Sequence, residues 1–422
     1  MLSLRRTGAS ATLCAALFWA AVVAVLPGPA AGAAVRQPGS RAFARSVASD
    51  TVRNNQHWVL DMMDVPAAWR MSRGDAVTVA VIDSGVNPDV SDLAGSVITG
   101  PDDTGVDTKP SNPNWGAHGT WMASLIAGHG HAGGGSGIIG VAPESMILAI
   151  RVIPDRSDPH YGEYEHEQEA RIQQSLASGI DYAVQHGAKV ISMSIGYGAP
   201  SGTVRKALQE AYSRGVVVVA SAGNSGATPG VDGAGPAPES FPADYPGVIS
   251  VGAVDSSGAV AGFSSDNLSV QVAAPGVSVP AQGRDGQYWW VSGTSPACAL
   301  VAGAAALIKS RYPNLAPDLV ASALTSTTIG RPAGGYDSEV GFGIVDAAAA
   351  LAKAGKLADD RPTETGISVT VRFGGGPTAV TQEPVRPRGS SQLVLFALLA
   401  LASLALAGAA GIRLAVLRRC PL

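Results

Sequence analysis

Cysteine is nearly missing from this chain. Three occur in 422 residues, Cys14, Cys298 and Cys420, too few and too dispersed for a disulfide framework. Lysine is scarce as well: six of the 29 basic residues are Lys and the rest Arg. Basic residues form no run except near the carboxyl end, and the net charge is −4. The electrostatic footprint of a nucleic-acid binder is therefore absent. Internal repeats are also absent. The chain is rich in Ala and Gly, and long enough to bury a sizeable core in one large domain with appendages.

Each end carries a long apolar stretch. At the amino end Arg5 and Arg6 precede an uncharged run over 11–26, followed by small residues with Ala31-Gly32-Ala33 as a cleavage site. This is the layout of a secretory signal peptide over residues 1–33. At the other end, residues 393–412 are twenty without a charge. At about 1.5 Å per residue they span a hydrocarbon core of about 30 Å as one transmembrane helix. Arg413, Arg418 and Arg419 follow, placing the 413–422 tail in the cytoplasm and the rest outside the membrane. Cys298 is then the single cysteine of the exported part, and its apolar surroundings make it a buried core residue.

Between these ends the pattern alternates. Apolar β-rich runs lie at 77–83 (VTVAVID), 147–152 (ILAIRV), 190–195 (VISMSI), 216–220 (VVVVA) and 248–254 (VISVGAV). Helix-compatible stretches lie at 120–127, 171–186, 204–214, 296–311 and 317–325. Strands this apolar, separated by helices, predict an α/β fold with a mainly parallel sheet covered on both faces. Residues 354–391 are rich in Pro, Gly, Thr and charge and read as an extended linker, with a short strand over 367–373. The acidic and His-containing run at 161–170 reads as solvated loop and helix start.

Functional groups in parallel α/β folds collect beyond the carboxyl ends of the strands. Asp83 closes the first strand, His118 stands just before a helix, and Ser295 opens another after "WVSGT". A serine hydroxyl needs a base within reach, and the base needs a carboxylate to fix its tautomer. The helix at Ser295 also turns backbone N–H groups and a positive dipole end toward developing negative charge. The Gly-x-Ser-x-Gly elbow of lipases and esterases is not found around Ser295, and the triad order differs from theirs. His129 and His131 sit in a Gly-rich stretch that reads as a mobile loop rather than a metal site.

"VAVIDSGV", "HGTWMASLIAG", "GVAPESMILAIRV", "VISMSIG", "VVVVASAGNSG", "FPADYPGVISVGAV" and "SGTS" follow in one order over about 220 residues. In this the chain resembles the subtilisin-like serine proteases, over roughly 58–351. The resemblance implies their three-layer fold and a peptide or protein substrate. It implies Asp83, His118 and Ser295 as the triad, and Asn224 with the Ser295 N–H as the oxyanion hole. It further implies Ser194, Ile195 and Gly196 as a substrate-binding edge, and Ser221, Ala222 and Gly223 as a wall of the first specificity pocket. An exposed strand edge of that kind can accept an extended peptide by backbone pairing. Calcium is common in that family; no acidic cluster here is assigned to it, and no cofactor or metal ligand is named.

Two features depart from the family pattern. Its members usually follow the serine with Met-Ala-x-Pro-His; here Pro296, Ala297, Cys298, Ala299 and Leu300 follow. Pro at the first helical position removes an N–H that has no intrahelical partner, and neither oxyanion donor is lost. Ala299 and Leu300 act on packing. The second departure is a short extension, 34–57, in place of a folding pro-domain. With a peptidase domain over 58–353, a linker and one membrane helix, this organisation resembles the mycosins, membrane-anchored proteases of type VII secretion. Mycosins commonly carry disulfides in the exported domain, which this chain cannot form. That resemblance leaves two functions open: an extracytoplasmic endopeptidase, or a tethered structural component of a secretion complex.

Overall fold

The computed structural model describes residues 45–47, 51–131, 136–162, 169–226, 228–230 and 233–359. The expected signal peptide, the expected linker beyond Asp359, the strand expected at 367–373, and the membrane segment and tail expected at 393–422 lie outside them. Among the described residues no helix is long and apolar enough to cross a membrane.

In chain order the strands are β1 (Arg45–Val47), β2 (Thr78–Asp83), β3 (Val97–Asp102), β4 (Met146–Arg151), β5 (Val190–Met193) and β6 (Val217–Ser221). Then come β7 (Thr228–Gly230), β8 (Gly233–Gly235), β9 (Val248–Val254), β10 (Val270–Pro275), β11 (Val279–Gln282) and β12 (Tyr288–Val291). The helices are α1 (Val52–Met62), α2 (Val65–Ala68), α3 (Ala117–Ala127), α4 (Glu169–Gln185), α5 (Gly202–Ser213), α6 (Thr294–Arg311), α7 (Pro317–Ser326) and α8 (Ala347–Asp359).

Seven strands form one sheet in the order β10-β9-β6-β5-β2-β4-β3, and every pairing in it is parallel. Parity along each strand explains why both faces are buried. Val79 and Val81 of β2 enter one core and Ala80 and Ile82 the other, because successive side chains point to opposite faces. β6 repeats this, with Val217 and Val219 on one side and Val218 and Ala220 on the other. The first core includes residues of α3, α6, α7 and α8; the second includes residues of α4 and α5. Such strands have no polar face, which is why they read as unbroken apolar runs. From β2 the chain runs to the edge strand β3, returns through β4 on the same side of β2, and then crosses to β5 on the other. That reversal creates the crevice in which parallel α/β sheets place their sites.

The five expected strands agree with the structure to within two residues. Two strands of the seven-stranded sheet were not expected, β3 and β10, which form its two edges, nor were β1, β7, β8, β11 and β12 outside it. The helix expected at 296–311 begins two residues earlier, at Thr294, so Pro296 is its third residue, not its first. The physical argument survives, because none of the first four N–H groups of a helix has an intrahelical acceptor. The boundary expected between residues 57 and 58 falls inside α1, whose Val52, Val59 and Leu60 are buried. Residues 354–359, expected to open the linker, belong to α8, which continues to Asp359 and buries Ala354. Of the run at 161–170, residues 163–168 lie outside the described residues and α4 opens at Glu169.

Candidate active site

Asp83 ends β2 with its side chain 1% exposed. Its Oδ1 accepts the Ser84 N–H at 2.7 Å and lies 2.8 Å from Nδ1 of His118. A carboxylate on Nδ1 fixes the tautomer with Nε2 free to accept a proton. Burial alone would lower the His118 pKa. The Asp83 charge and hydrogen bond, with Asp155 behind them, outweigh burial, and the imidazole titrates above its ordinary value.

How α3 is held decides where His118 points. Its N-cap is Gly116 in the left-handed region, which has no side chain to cap with. Instead Asp155 reaches in from beyond β4: its Oδ2 accepts the Ala117 N–H at 2.7 Å and its Oδ1 the His118 N–H at 2.9 Å. The Gly119 N–H goes to Ser84 Oγ at 3.1 Å, and the Thr120 N–H to the Gly116 carbonyl at 3.1 Å. The three N–H groups of the first turn that have no intrahelical acceptor, those of Ala117, His118 and Gly119, are all satisfied from outside the helix. Gly119 is required by proximity, since a Cβ there would stand 2.1 Å from the Gly85 carbonyl oxygen. Beneath Ser84, the buried Arg151 guanidinium donates to the Ser84 carbonyl, Asp102, Thr104 and Asp158. This braces the carboxyl ends of β2 and β4.

Ser295 is the second residue of α6, which packs against α3. Its N–H belongs to the first turn and has no intrahelical acceptor. Gly293, at φ 151° and ψ 173°, turns the chain from β12 into this helix, a conformation essentially confined to glycine. A Cβ at Gly293 would lie 3.6 Å from both Asn224 Nδ2 and the Ser295 nitrogen. The two donors therefore border one small space. Asn224 is oriented by Thr294, whose N–H donates to its Oδ1 at 2.9 Å. The buried Thr294 hydroxyl also contacts that oxygen at 3.1 Å and the Gly223 carbonyl at 3.2 Å. With Oδ1 so occupied, Nδ2 is left to face the Ser295 side.

The remaining expected residues gather around the same helix start. Ser194 Oγ donates to the Ser295 carbonyl at 3.2 Å. Ser194 and Ile195 are buried while Gly196 is exposed. No backbone hydrogen bond to another described residue is made by Ile195 or Gly196. Ser221 ends β6, Ala222 is fully buried, and Gly223 accepts the Ser265 N–H. The Ser295 hydroxyl makes no hydrogen bond to the His118 ring among the described residues.

Cys298 lies in the core 0% exposed, near the Met193 carbonyl and Ser192 Oγ. Burial pushes its thiol pKa up to about 12. His129 and His131 lie in a different cluster. The His129 N–H donates to the Asp92 carbonyl, and His131 Nδ1 is 2.8 Å from the buried Asp92 Oδ1 with Tyr288 beside it. These contacts anchor the two histidines at the margin of a segment expected to be mobile. Among the described residues no group of three or more His, Cys, Asp or Glu side chains converges as a metal site.

Asp155 and Thr294 were not assigned roles from the sequence. Asp155 acts on a helix 38 residues away, and no cap motif marks it, because the N-cap itself is glycine. Thr294 stood in the quoted "SGTS" signature and could have been found there.

Comparison with known proteins extends this likeness to the whole fold. Subtilisin DY of Bacillus licheniformis is 37% identical over 255 residues, 60% of this chain and 84% of that protein. Among solved structures, MycP3 protease from the type VII (ESX-3) secretion system superposes with a TM-score of 0.60 at 30% identity. It matches over 74% of this chain and 92% of that one. MycP1 from Mycobacterium smegmatis gives 0.58 at 29% identity, over 73% and 89%. The sequence profile of the subtilase family matches residues 74–343, a span that takes in Asp83, His118, Asn224 and Ser295 together. The chain belongs to the subtilase family and is a subtilisin-like serine endopeptidase.

Proposed function

We propose that this chain is a membrane-anchored extracytoplasmic endopeptidase that cuts peptide bonds through Asp83, His118 and Ser295 by way of an acyl-enzyme. The observation that carries the reading is the 2.8 Å contact of Asp83 with His118 Nδ1, on a helix packed against the one that opens at Ser295. In this reading His118 Nε2 takes the Ser295 proton as the hydroxyl oxygen attacks the scissile carbonyl. Asn224 Nδ2 and the Ser295 N–H donate to the oxygen that becomes negative. The imidazolium, held by Asp83, then protonates the leaving amine, and water repeats the sequence to release the acyl group. The Ser295–His118 hydrogen bond closes in the substrate complex, as contacts of this kind commonly do.

Ser194, Ile195 and Gly196 pair with the substrate backbone, supported by the unpaired main chain at Ile195 and Gly196. Ser221, Ala222 and Gly223 wall the first specificity pocket. The anchor is the apolar stretch at 393–412, with the signal peptide at 1–33 directing export.

A fluorophosphonate tests the site. Label should go to Ser295, vanish in Ser295→Ala and fall strongly in His118→Ala. Equal labelling of Ser295→Ala would defeat the assignment.

A second reading is favoured by one observation, the likeness to MycP1, described as an essential component of the type VII (ESX-1) secretion system. In it the chain holds a secretion complex together and proteolysis is secondary. Complementing a deletion with the Ser295→Ala chain separates the two. Full restoration of secretion by the inactive chain supports the structural role, and failure supports the catalytic one.

A further inference from the structure

We propose that Asp155 is a positioning residue for His118: its carboxylate fixes the helix end that carries the imidazole, and its negative charge favours the imidazolium formed during the reaction. This rests on the catalytic reading of His118 given above.

The start of α3 is unusual. A helix normally takes its cap from the residue that precedes it; α3 is preceded by a glycine. Two of its N–H groups, one of them that of His118 itself, depend on a single distant carboxylate. Asp155 is 7% exposed, so it is held where burying a charge is costly unless that charge is compensated. Its compensation consists of the two N–H groups, the positive end of the helix dipole and contact with the Ser84 hydroxyl. The same contacts that hold Asp155 therefore hold His118.

The charge balance around the ring gives the second part. Asp83 faces His118 from the end of β2, Asp155 from the segment after β4, and Arg156 opposes them with positive charge. Trp121, one turn along α3, is an uncharged neighbour with its ring edge-on to the imidazole. Two carboxylates thus favour the protonated ring against one guanidinium and against burial. Burial raises the Asp155 pKa above the usual carboxylate range, and the His118 N–H and ring charge draw it back.

Three variants of the full chain separate the two effects. Asp155→Asn keeps an oxygen acceptor and removes the charge; Asp155→Ala removes both; Asp155→Glu restores the charge. One readout is the rate of fluorophosphonate inactivation against pH, which reports the neutral fraction of His118. A second is the NMR titration of His118 in the Ser295→Ala chain, which needs no activity at all.

Asp155→Asn should shift both profiles to lower pH while losing less than about tenfold in plateau rate. Asp155→Ala should add a loss of about 10²-fold, the scale expected for an ångström of misplacement. Asp155→Glu should recover the pH profile. The proposal is overturned if His118 titrates at the same pH in Ser295→Ala with and without Asp155→Asn. It is also overturned if Asp155→Ala keeps the parental plateau rate. If the parent chain takes no label, the catalytic reading fails, and the titration still decides what Asp155 does to His118. If Asp155→Ala does not fold, Asp155→Asn carries the decision.

Discussion

Thr294 holds one atom of Asn224 twice: its backbone N–H and its hydroxyl both reach Asn224 Oδ1, at 2.9 and 3.1 Å. This fixes which face of the amide looks toward Ser295. Asn224→Ala should lower kcat by about 10²–10³-fold with little change in KM, the usual loss for one oxyanion donor. Thr294→Val keeps the N–H contact and loses the hydroxyl, so a smaller fall, about tenfold, is expected. Steady-state kinetics on a peptide substrate check both. A loss confined to KM would make Asn224 a substrate-binding residue.

The pH dependence follows from His118. In the proposed mechanism the neutral ring is the base, so kcat/KM should rise with pH through the His118 pKa. Asp83 and Asp155 outweigh burial and raise that pKa, so the acidic limb should lie above the ordinary imidazole value of about 6.5. Asp83→Asn should move it down and cost several orders of magnitude in kcat. A raised histidine pKa also contributes stability below the unfolded value that fades as pH climbs through the folded one. An acidic limb below 6 in the parent chain would contradict the arrangement of these charges.

Lys309 is a test of stability away from the site. It is 3% exposed within α6, and its Nζ donates to the Leu315 carbonyl at 2.9 Å, with no carboxylate partner in an ion pair among the described residues. Burial lowers its pKa to about 8. The folded state then disfavours the charged form, and the penalty is full below pH 8 and relieved between about 8 and 10.4, the unfolded value. Lys309→Met should raise Tm by a few degrees at pH 7, and the gain should shrink as pH rises toward 10. A gain that does not depend on pH would mean that packing, not charge, is responsible.

Cys298 should be silent to reagents. With its thiol buried and its pKa near 12, the thiolate that attacks alkylating agents is scarce at pH 8. Iodoacetamide should leave the native chain active and label Cys298 only after denaturation. Cys298→Ala should keep kcat within about twofold. Loss of activity on brief alkylation of the native chain would contradict its burial.

The sheet centre was readable because its strands are buried on both faces and carry no competing signal. β3 was not: "VITGPD" is half exposed at a sheet edge and contains Gly100 and Pro101, which read as a turn. β10, the opposite edge, ends in Ala-Ala-Pro and gives little β signal of its own. The boundary at 354 followed a change in composition, whereas the buried stripe of the last helix carries it on to Asp359; the boundary at 58 followed the reach of the family resemblance, which does not show that α1 begins at Val52. Asp83, His118 and Ser295 could be proposed because each stands at the end of a strand or the start of a helix, in a recognisable phrase. The contacts by which Asp155 holds His118 and Thr294 holds Asn224 could not. Asp155 and Thr294 work through contacts across the sequence or through a backbone N–H, and residue order does not reveal which carbonyl or amide lies opposite.

The amino-terminal helix α1 is held to the body of the domain by Arg53, which donates to the Ser136 and Gly137 carbonyls. Gln56 completes the attachment, exchanging hydrogen bonds with the main chain of Ile139 in both directions. No thiol takes part, and neither side chain changes charge near neutral pH. The fastening therefore closes as soon as the chain folds, without waiting for an oxidase or isomerase, and glutathione has nothing there to undo.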